Sequence, residues 1–250
     1  QYQDLNSPTI ARILSARDVS AQHLDLQLKF LLQPQMLGLN TAVELMHQAI
    51  QEQKQILIVG DYDADGATST ALMVLVLQQM GARVDYIVPD RFKYGYGLTP
   101  AIADLAFQTI HPDLLITVDN GISSHAGVER CHELGMQVII TDHHLTTKET
   151  PRAEAVVNPN QLGCHFESKA LAGVGVAFYV LAHLATYRKK QGLSTAQLSQ
   201  YLDLVALGTV ADVAKLDFNN RILVKAGIER IQKSQCRPGI LALLEIAEKQ

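Results

Sequence analysis

Ile56-Leu57-Ile58-Val59-Gly60-Asp61-Tyr62-Asp63-Ala64-Asp65-Gly66 decides the fold of this chain: an apolar strand that runs into three aspartates spaced two apart. Alternate residues of an extended segment point to one side, so Asp61, Asp63 and Asp65 converge if they line one face at the strand's end. Three carboxylates held that close repel one another, and a cation between them relieves the repulsion. Asp and Gly are also ordinary turn residues, so the run taken alone has a second reading as a solvated acidic turn. The next residues, Ala67-Thr68-Ser69-Thr70-Ala71-Leu72, read as a helix. Such strand-to-helix junctions are where α/β proteins place their ligands.

Outward from this junction the pattern alternates. Strands are expected at 56–60, 83–88, 114–118, 137–141 and, briefly, 154–157, with helices at about 67–80, 99–109 and 123–134. Continuous apolar strands such as LLITV and VIIT, each followed by a helix, indicate a doubly wound, mostly parallel sheet with flanking helices. Gly81 and Gly135 fall where helices should end. After Asn158-Pro159-Asn160 only helical patterns remain, at about 170–190, 195–213, 219–234 and 238–249, punctuated by Gly192 and the Arg237-Pro238-Gly239 turn. Ahead of the sheet, Pro8 to Leu14 reads as a helix, Leu32 to Asn40 as a connector, and Thr41 with Glu44 as a capping box opening a second helix. This divides the chain into an N-terminal helical segment with its connector (1–40), an α/β core (41–160) and a C-terminal all-helical extension (161–250). The last helix running to the final residue is what a piece cut from a longer chain would show.

Composition narrows the class. The 250 residues are 48% hydrophobic and 18% charged, ordinary for a folded domain. No apolar stretch approaches the ~20 residues a membrane span needs, so no membrane contact is expected. Cys131, Cys164 and Cys236 are odd in number and scattered, which fits a reducing cytoplasm and offers no thiolate zinc site. The net charge of −4 speaks mildly against a broad basic nucleic-acid surface.

Two further strands end in chemistry-bearing residues: LLITV runs into Asp119-Asn120-Gly121, and VIIT into Asp142-His143-His144. Parallel strands place their carboxyl ends along one edge, so these groups and Asp61, Asp63 and Asp65 should share a crevice. Carboxylates with one or two imidazoles suit Mn²⁺ or Mg²⁺ better than structural zinc, and several bridging aspartates suggest two divalent ions acting on a phosphodiester. The chain has no GxxxxGK[ST] loop, GxSxG elbow or HExxH helix. Pro89 to Leu98 could meet a phosphate through Arg91 and Lys93, and Tyr96, Tyr94 or Phe92 could stack on a base. The glycines of LAGVGVAF, with no strand before them, would allow a helix N-terminus close to the site. Asp212 puts a carboxylate inside the apolar helical stretch LGTVADV, costly unless it is paired or metal-bound.

Taken in order, GDYDADGATST, VDNG, TDHH and TVADV resemble the DHH phosphoesterase superfamily. The DYDADG form is similar to its branch of bacterial single-strand-specific 5′→3′ exonucleases, as are PDRFKYGYGL, NPNQ, LAGVGVAF and ARILSARDV. The resemblance implies that Asp63, Asp65, Asp119, His143 and Asp212 ligate two Mn²⁺ or Mg²⁺ ions, with Asp119 bridging and Asp61 beside them. It implies that Asp142 orients His143 from behind, that His144 and Arg91 meet the substrate phosphate, and that Asn120 stands behind the ligands. It further implies release of 5′-mononucleotides from single-stranded DNA in repair and recombination, a monomeric cytoplasmic enzyme, and a single-strand-binding protein and a recombination helicase as partners. In that branch a second (DHHA1-like) domain and an OB domain normally follow, and both are expected to be absent from this chain. Two other readings are a small-substrate phosphoesterase of the same superfamily, acting on short oligonucleotides, a cyclic dinucleotide or a nucleotide phosphate, and a non-catalytic DNA-binding or scaffold module.

Overall fold

A computed structural model of the chain describes residues 7–17, 19, 21–146 and 149–247. The ends of the expected N-terminal segment (1–6) and of the expected last helix (248–250) lie outside the described residues. Strands β1 (Gln55–Gly60), β2 (Arg83–Ile87), β3 (Leu114–Val118), β4 (Gln137–Thr141) and β5 (Ala155–Val157) form one sheet in the order β2-β1-β3-β4-β5. Every neighbouring pair is parallel. Among the described residues the helices are α1 (Pro8–Ala16), α2 (Leu39–Gln51), α3 (Ala64–Gln79), α4 (Arg91–Tyr94), α5 (Pro100–Thr109), α6 (His125–Glu133), α7 (Gly173–Lys190), α8 (Leu202–Ala211), α9 (Phe218–Gln232) and α10 (Pro238–Ile246). None is long and apolar enough to cross a membrane.

The period of two along each strand sorts the core into two layers. Ile56 and Ile58 of β1, Leu114, Ile116 and Val118 of β3 and Ile139 of β4 pack with α2, α3, α7 and α8 on one face. Leu57, Val59, Leu115, Val138 and Ile140 pack with α5 and α6 on the other. The sheet is therefore doubly wound, as the continuous apolar strands require. The helical extension is no separate body, since Val176, Leu184, Val205, Leu223 and Ile240 share one apolar cluster with β1 and β3.

Local chemistry sets most helix ends. Thr99 caps α5 ahead of Pro100, Asp217 caps α9, and Gly81 and Gly135 take φ of 86° and 80° just past α3 and α6. Three expectations differ. The Thr41 capping box is not used: α2 starts at Leu39 behind Gly38, because Leu39, Ala42, Val43 and Met46 must all face the core. The single helix expected at 195–213 is a 3₁₀ turn (Leu198–Tyr201) followed by α8, which ends at Ala211. Finally, α3 begins at Ala64, three residues earlier than its apolar run suggests, because Asp63 caps it by accepting the Gly66 N–H at 2.9 Å.

Candidate metal centre

That early helix start changes how the first acidic run is presented. Asp61, Asp63 and Asp65 do not line one face of an extended strand. Asp61 follows β1 and is buried, Asp63 is the exposed N-cap of α3, and Asp65 is buried in the helix's first turn. All three stand at the junction between the carboxyl end of β1 and the first turn of α3. β1 lies between β2 and β3, so the crevice opens where the chain's winding reverses, between the ends of β1 and β3.

Asp119 enters from β3 with φ of 61°, a left-handed conformation that Asp tolerates better than most residues. Its N–H bonds to the Thr141 carbonyl at 3.1 Å. Asn120 turns back into the fold, donating to the Val59 and Val118 carbonyls and tying the ends of β1 and β3 together. His143 arrives from β4 with Nε2 3.0 Å from Asp119 Oδ1 and 3.8 Å from Asp65 Oδ2.

These side chains converge in three overlapping groups, each with donor atoms within 4.8 Å of one another: Asp61, Asp63 and Asp119; Asp65, His143 and Asp212; Asp119, His143 and His144. Asp119 and His143 each belong to two of them. Asp212 reaches its group from an unexpected place. It is the exposed C-cap of α8 rather than a charge inside an apolar helix, because Val213 takes φ of 57° and ends the helix.

Helix α7 supplies the cradle. Its first two N–H groups, Gly173 and Val174, donate to Asp65 Oδ2 and Oδ1 at 2.6 and 2.9 Å, so the helix's positive end faces the carboxylate. A Cβ on Gly173 would stand 2.7 Å from Asp119 Cβ and Oδ1, and one on Gly208 would stand 2.2 Å from Thr68 Oγ1 and 3.0 Å from Asp65 Oδ1. Of the LAGVGVAF glycines, Gly173 thus gives a helix N-terminus access to the site, whereas Gly175 meets only the Leu171 side chain. Gly208 carried no such signal in the sequence.

Burial raises the Asp65 and Asp119 carboxyls well above the ordinary range. Burial alone would depress His143, but the carboxylates of Asp119, Asp65 and Asp212 raise it to about 9. Asp119 Oδ1 is buried and receives no aligned hydrogen bond, despite the imidazole nitrogen 3.0 Å away. A buried carboxylate oxygen with no aligned hydrogen bond, gathered with further carboxylates and a ring nitrogen, fits a cation.

The remaining residues divide differently from the sequence reading. Asp142 reaches the ring of His144, with Oδ1 2.6 Å from Nδ1, and touches His143 only through its backbone N–H. It therefore orients His144, not the His143 ring. Burial would raise Asp142, but its bonds to His144 lower it, and the same bond raises His144. His144 Nε2 lies 3.2 Å from the Tyr96 hydroxyl. Arg91 forms a 2.9 Å ion pair with Asp61 and stays partly exposed. Lys93 lies instead over the Tyr94 ring, 4.9 Å from its centroid. A 290 Å³ cavity continues from His144 along Tyr96, Leu98, Ser124 and Leu145.

The model of the DHH family, N-terminal domain, matches residues 55–209 of this chain. The chain is 51% identical over 251 residues to the single-stranded-DNA-specific exonuclease RecJ of Escherichia coli (strain K12), covering 97% of this chain and 43% of that protein. It is 42% identical to the RecJ of Bacillus subtilis (strain 168), covering 85% of this chain and 26% of that protein. Its structure is similar to that of Thermus thermophilus RecJ in complex with Mn²⁺, with a TM-score of 0.77, 34% identity and coverage of 95% and 33% of the two chains. A second similar structure is an exonuclease RecJ bound to manganese, with a TM-score of 0.70, 39% identity and coverage of 80% and 49%. The chain thus spans less than half the length of these relatives.

Proposed function

The chain belongs to the DHH family, and we propose that it is the catalytic domain of a single-strand-specific DNA exonuclease, a divalent-ion-dependent hydrolase that takes 5′-mononucleotides from a 5′ end. The observation that carries this reading is the convergence of Asp61, Asp63, Asp65, Asp119, His143 and Asp212 at the carboxyl edge of the sheet. Asp63, Asp65, Asp119, His143 and Asp212 would hold two Mn²⁺ or Mg²⁺ ions, and Asp119, common to two of the groups, would serve both. An oxygen-rich set with one imidazole suits these hard ions. Such ions supply Lewis-acid charge when bound, polarising a phosphoryl oxygen and making water acidic enough to attack near neutral pH.

The chain's own residues would do the rest. Arg91 exchanges its Asp61 partner for a phosphate of the strand, which its planar fork can grip at two oxygens. Asp142 fixes the His144 ring and favours its protonated form, leaving Nε2 to donate to a phosphate oxygen in place of Tyr96. Tyr96 and the adjoining cavity give the strand an aromatic and apolar wall. Single-stranded DNA is the partner this surface serves. A cytoplasmic monomer that works with a single-strand-binding protein and a recombination helicase in repair and recombination completes the proposal.

The decisive experiment incubates the chain with Mn²⁺ and a 5′-phosphorylated single strand, the matching duplex and a dinucleotide. Mononucleotide release from the single strand is expected. Cleavage of the dinucleotide alone would favour a small-substrate phosphoesterase, and no cleavage with no Mn²⁺ binding would favour a non-catalytic module.

Two further outcomes are expected. Binding a cation requires ionised carboxylates and neutral imidazole, so Mn²⁺ must displace the protons held by Asp65, Asp119 and His143. Affinity should rise with pH up to about 9, the His143 value. Calorimetry in two buffers of different ionisation heat should show proton release, and a pH-independent affinity would contradict the assignment. Arg91→Ala should raise KM roughly tenfold, the loss of about 1.4 kcal/mol of phosphate binding, and lower the salt slope of DNA binding by about 1. An unchanged salt slope would remove Arg91 from the substrate path.

A further inference from the structure

The Asn158-Pro159-Asn160 turn after β5 plays no part in the chemistry above, yet its side chains hold the backbone of both histidines. β4 and β5 pair as far as Thr141 and Val157, and the Asp142 N–H adds one more bond to the Val157 carbonyl at 3.1 Å. Past that point side chains replace the ladder. Asp142 Oδ1 accepts the N–H groups of His143 and His144 at 2.7 and 3.0 Å. Asn160 Nδ2 donates to the His143 carbonyl at 2.6 Å, and Asn158 Nδ2 to the His144 carbonyl at 3.0 Å. All four backbone polar groups of the pair are thus held by three side chains.

The two amides are themselves anchored. Asn158 is fully buried, and its Oδ1 accepts the Asn160 N–H at 2.7 Å. Asn160 Nδ2 also donates to the Lys169 carbonyl at 3.1 Å, and the Lys169 ammonium returns to the carbonyls of Pro159 and Cys164 at 2.6 and 2.7 Å. The segment after Lys169 leads into Gly173 and Val174, whose N–H groups hold Asp65. Asn160 therefore joins the loop that carries His143 to the segment that carries the cradle of Asp65.

We propose that this turn is an amide clamp that positions the metal centre: Asn160 and Asn158, acting through the carbonyls of His143 and His144, set where the His143 imidazole stands relative to Asp119 and Asp65. The proposal rests on reading the cluster as a metal centre. The clamp acts at a distance from the donor atoms, so Asn158 and Asn160 are positioning residues. A loop without ladder bonds opens easily unless side chains hold it. Partners that hold a ligand from behind govern metal affinity by 10–100-fold.

The test uses Asn160→Asp and Asn158→Asp, which keep the shape and exchange the donating amide for an oxygen facing the same carbonyl. Asn160→Ala removes the donor without adding charge and serves if Asn160→Asp does not fold. Three measurements are made on the chain: circular dichroism with melting, histidine side-chain NMR without metal, and Mn²⁺ titration with pulsed EPR reading the coupling to imidazole nitrogen. The clamp predicts a retained fold, shifted or broadened His143 and His144 ring resonances, Mn²⁺ affinity about 10–100-fold weaker and a diminished nitrogen coupling. In hydrolysis it predicts a loss in kcat rather than KM. Variants that only melt lower, with parental ring resonances, affinity and nitrogen coupling, would overturn the clamp. If the parent itself binds no Mn²⁺, the metal reading has failed, and unshifted ring resonances in the metal-free variants would then overturn the clamp on their own.

Discussion

Asp119→Asn is expected to lower metal-dependent hydrolysis by on the order of a thousandfold or more while the fold persists. Asp119 belongs to two of the three donor groups, so one substitution weakens both. A bound ion contributes several kcal/mol to stabilising charge in the transition state, and about 4 kcal/mol corresponds to a thousandfold. The same variant should be more stable than its parent without metal. Burial raises the Asp119 carboxyl to about 7, so the folded chain binds that proton more tightly than the unfolded chain does. The sign follows: this carboxyl's contribution to stability is greatest below the ordinary value near 4 and falls as pH rises to about 7. Asparagine removes that dependence, together with the share of the His143 rise that the Asp119 carboxylate supplies. Melting curves from pH 4 to 8 should therefore show a flatter profile and a higher melting temperature at pH 8 for the metal-free variant. In the parent, Mn²⁺ at a hundred times its Kd should add about 2.7 kcal/mol per site, a rise of roughly 5–11 °C, and the variant should lose most of it. His143→Ala should lose the same metal-dependent stabilisation and hydrolysis. Parental turnover in either variant would sink the assignment.

Gly173→Ala should cut turnover about a hundredfold, although it adds only a methyl group and alanine is the better helix former. The new Cβ would stand 2.7 Å from Asp119 Cβ and Oδ1, too close for either to remain in place. Relief must come from Asp119 moving or from the first turn of α7 withdrawing its N–H groups from Asp65. Either displacement separates donor atoms that a cation needs together. Gly175→Ala is the control from the same motif, since the nearest atoms to its Cβ all belong to the Leu171 side chain, which can rotate away. It should keep turnover within about threefold of the parent, because a side chain that yields costs little. Equal losses in both variants, with parental Mn²⁺ affinity in each, would show that the glycines serve helix packing and not the site.

How far the site was legible follows from what each residue's signal depends on. The strand ends bearing Asp119 and Asp142-His143-His144 were readable because a short, largely apolar run such as LLITV or VIIT is a local signal, and parallel winding then sends every strand's carboxyl end to one edge. The geometry of Asp61, Asp63 and Asp65 was misread because the capping preference of Asp63 outweighed extension of the strand. Asp212 looked buried because Val210 and Val213 are apolar, yet both are exposed beside the crevice. The Asn158-Pro159-Asn160 turn was visible as a motif, but nothing local says that its amides reach back to residues 143 and 144.

The amino-acid sequence by itself determined the parallel sheet, the face each strand residue takes and the edge where the acids and histidines gather, because hydrophobic periodicity and helix-end chemistry act over a few neighbouring residues. Tertiary structure alone decided which oxygens face which nitrogen. Asp65 is held by N–H groups 108 and 109 residues away, Arg91 is held by Asp61 across 30, and the Asp119 carboxyl rests on Gly173, the first residue of α7. Those contacts depend on how whole layers pack, and packing brings together residues whose neighbours along the chain say nothing about one another.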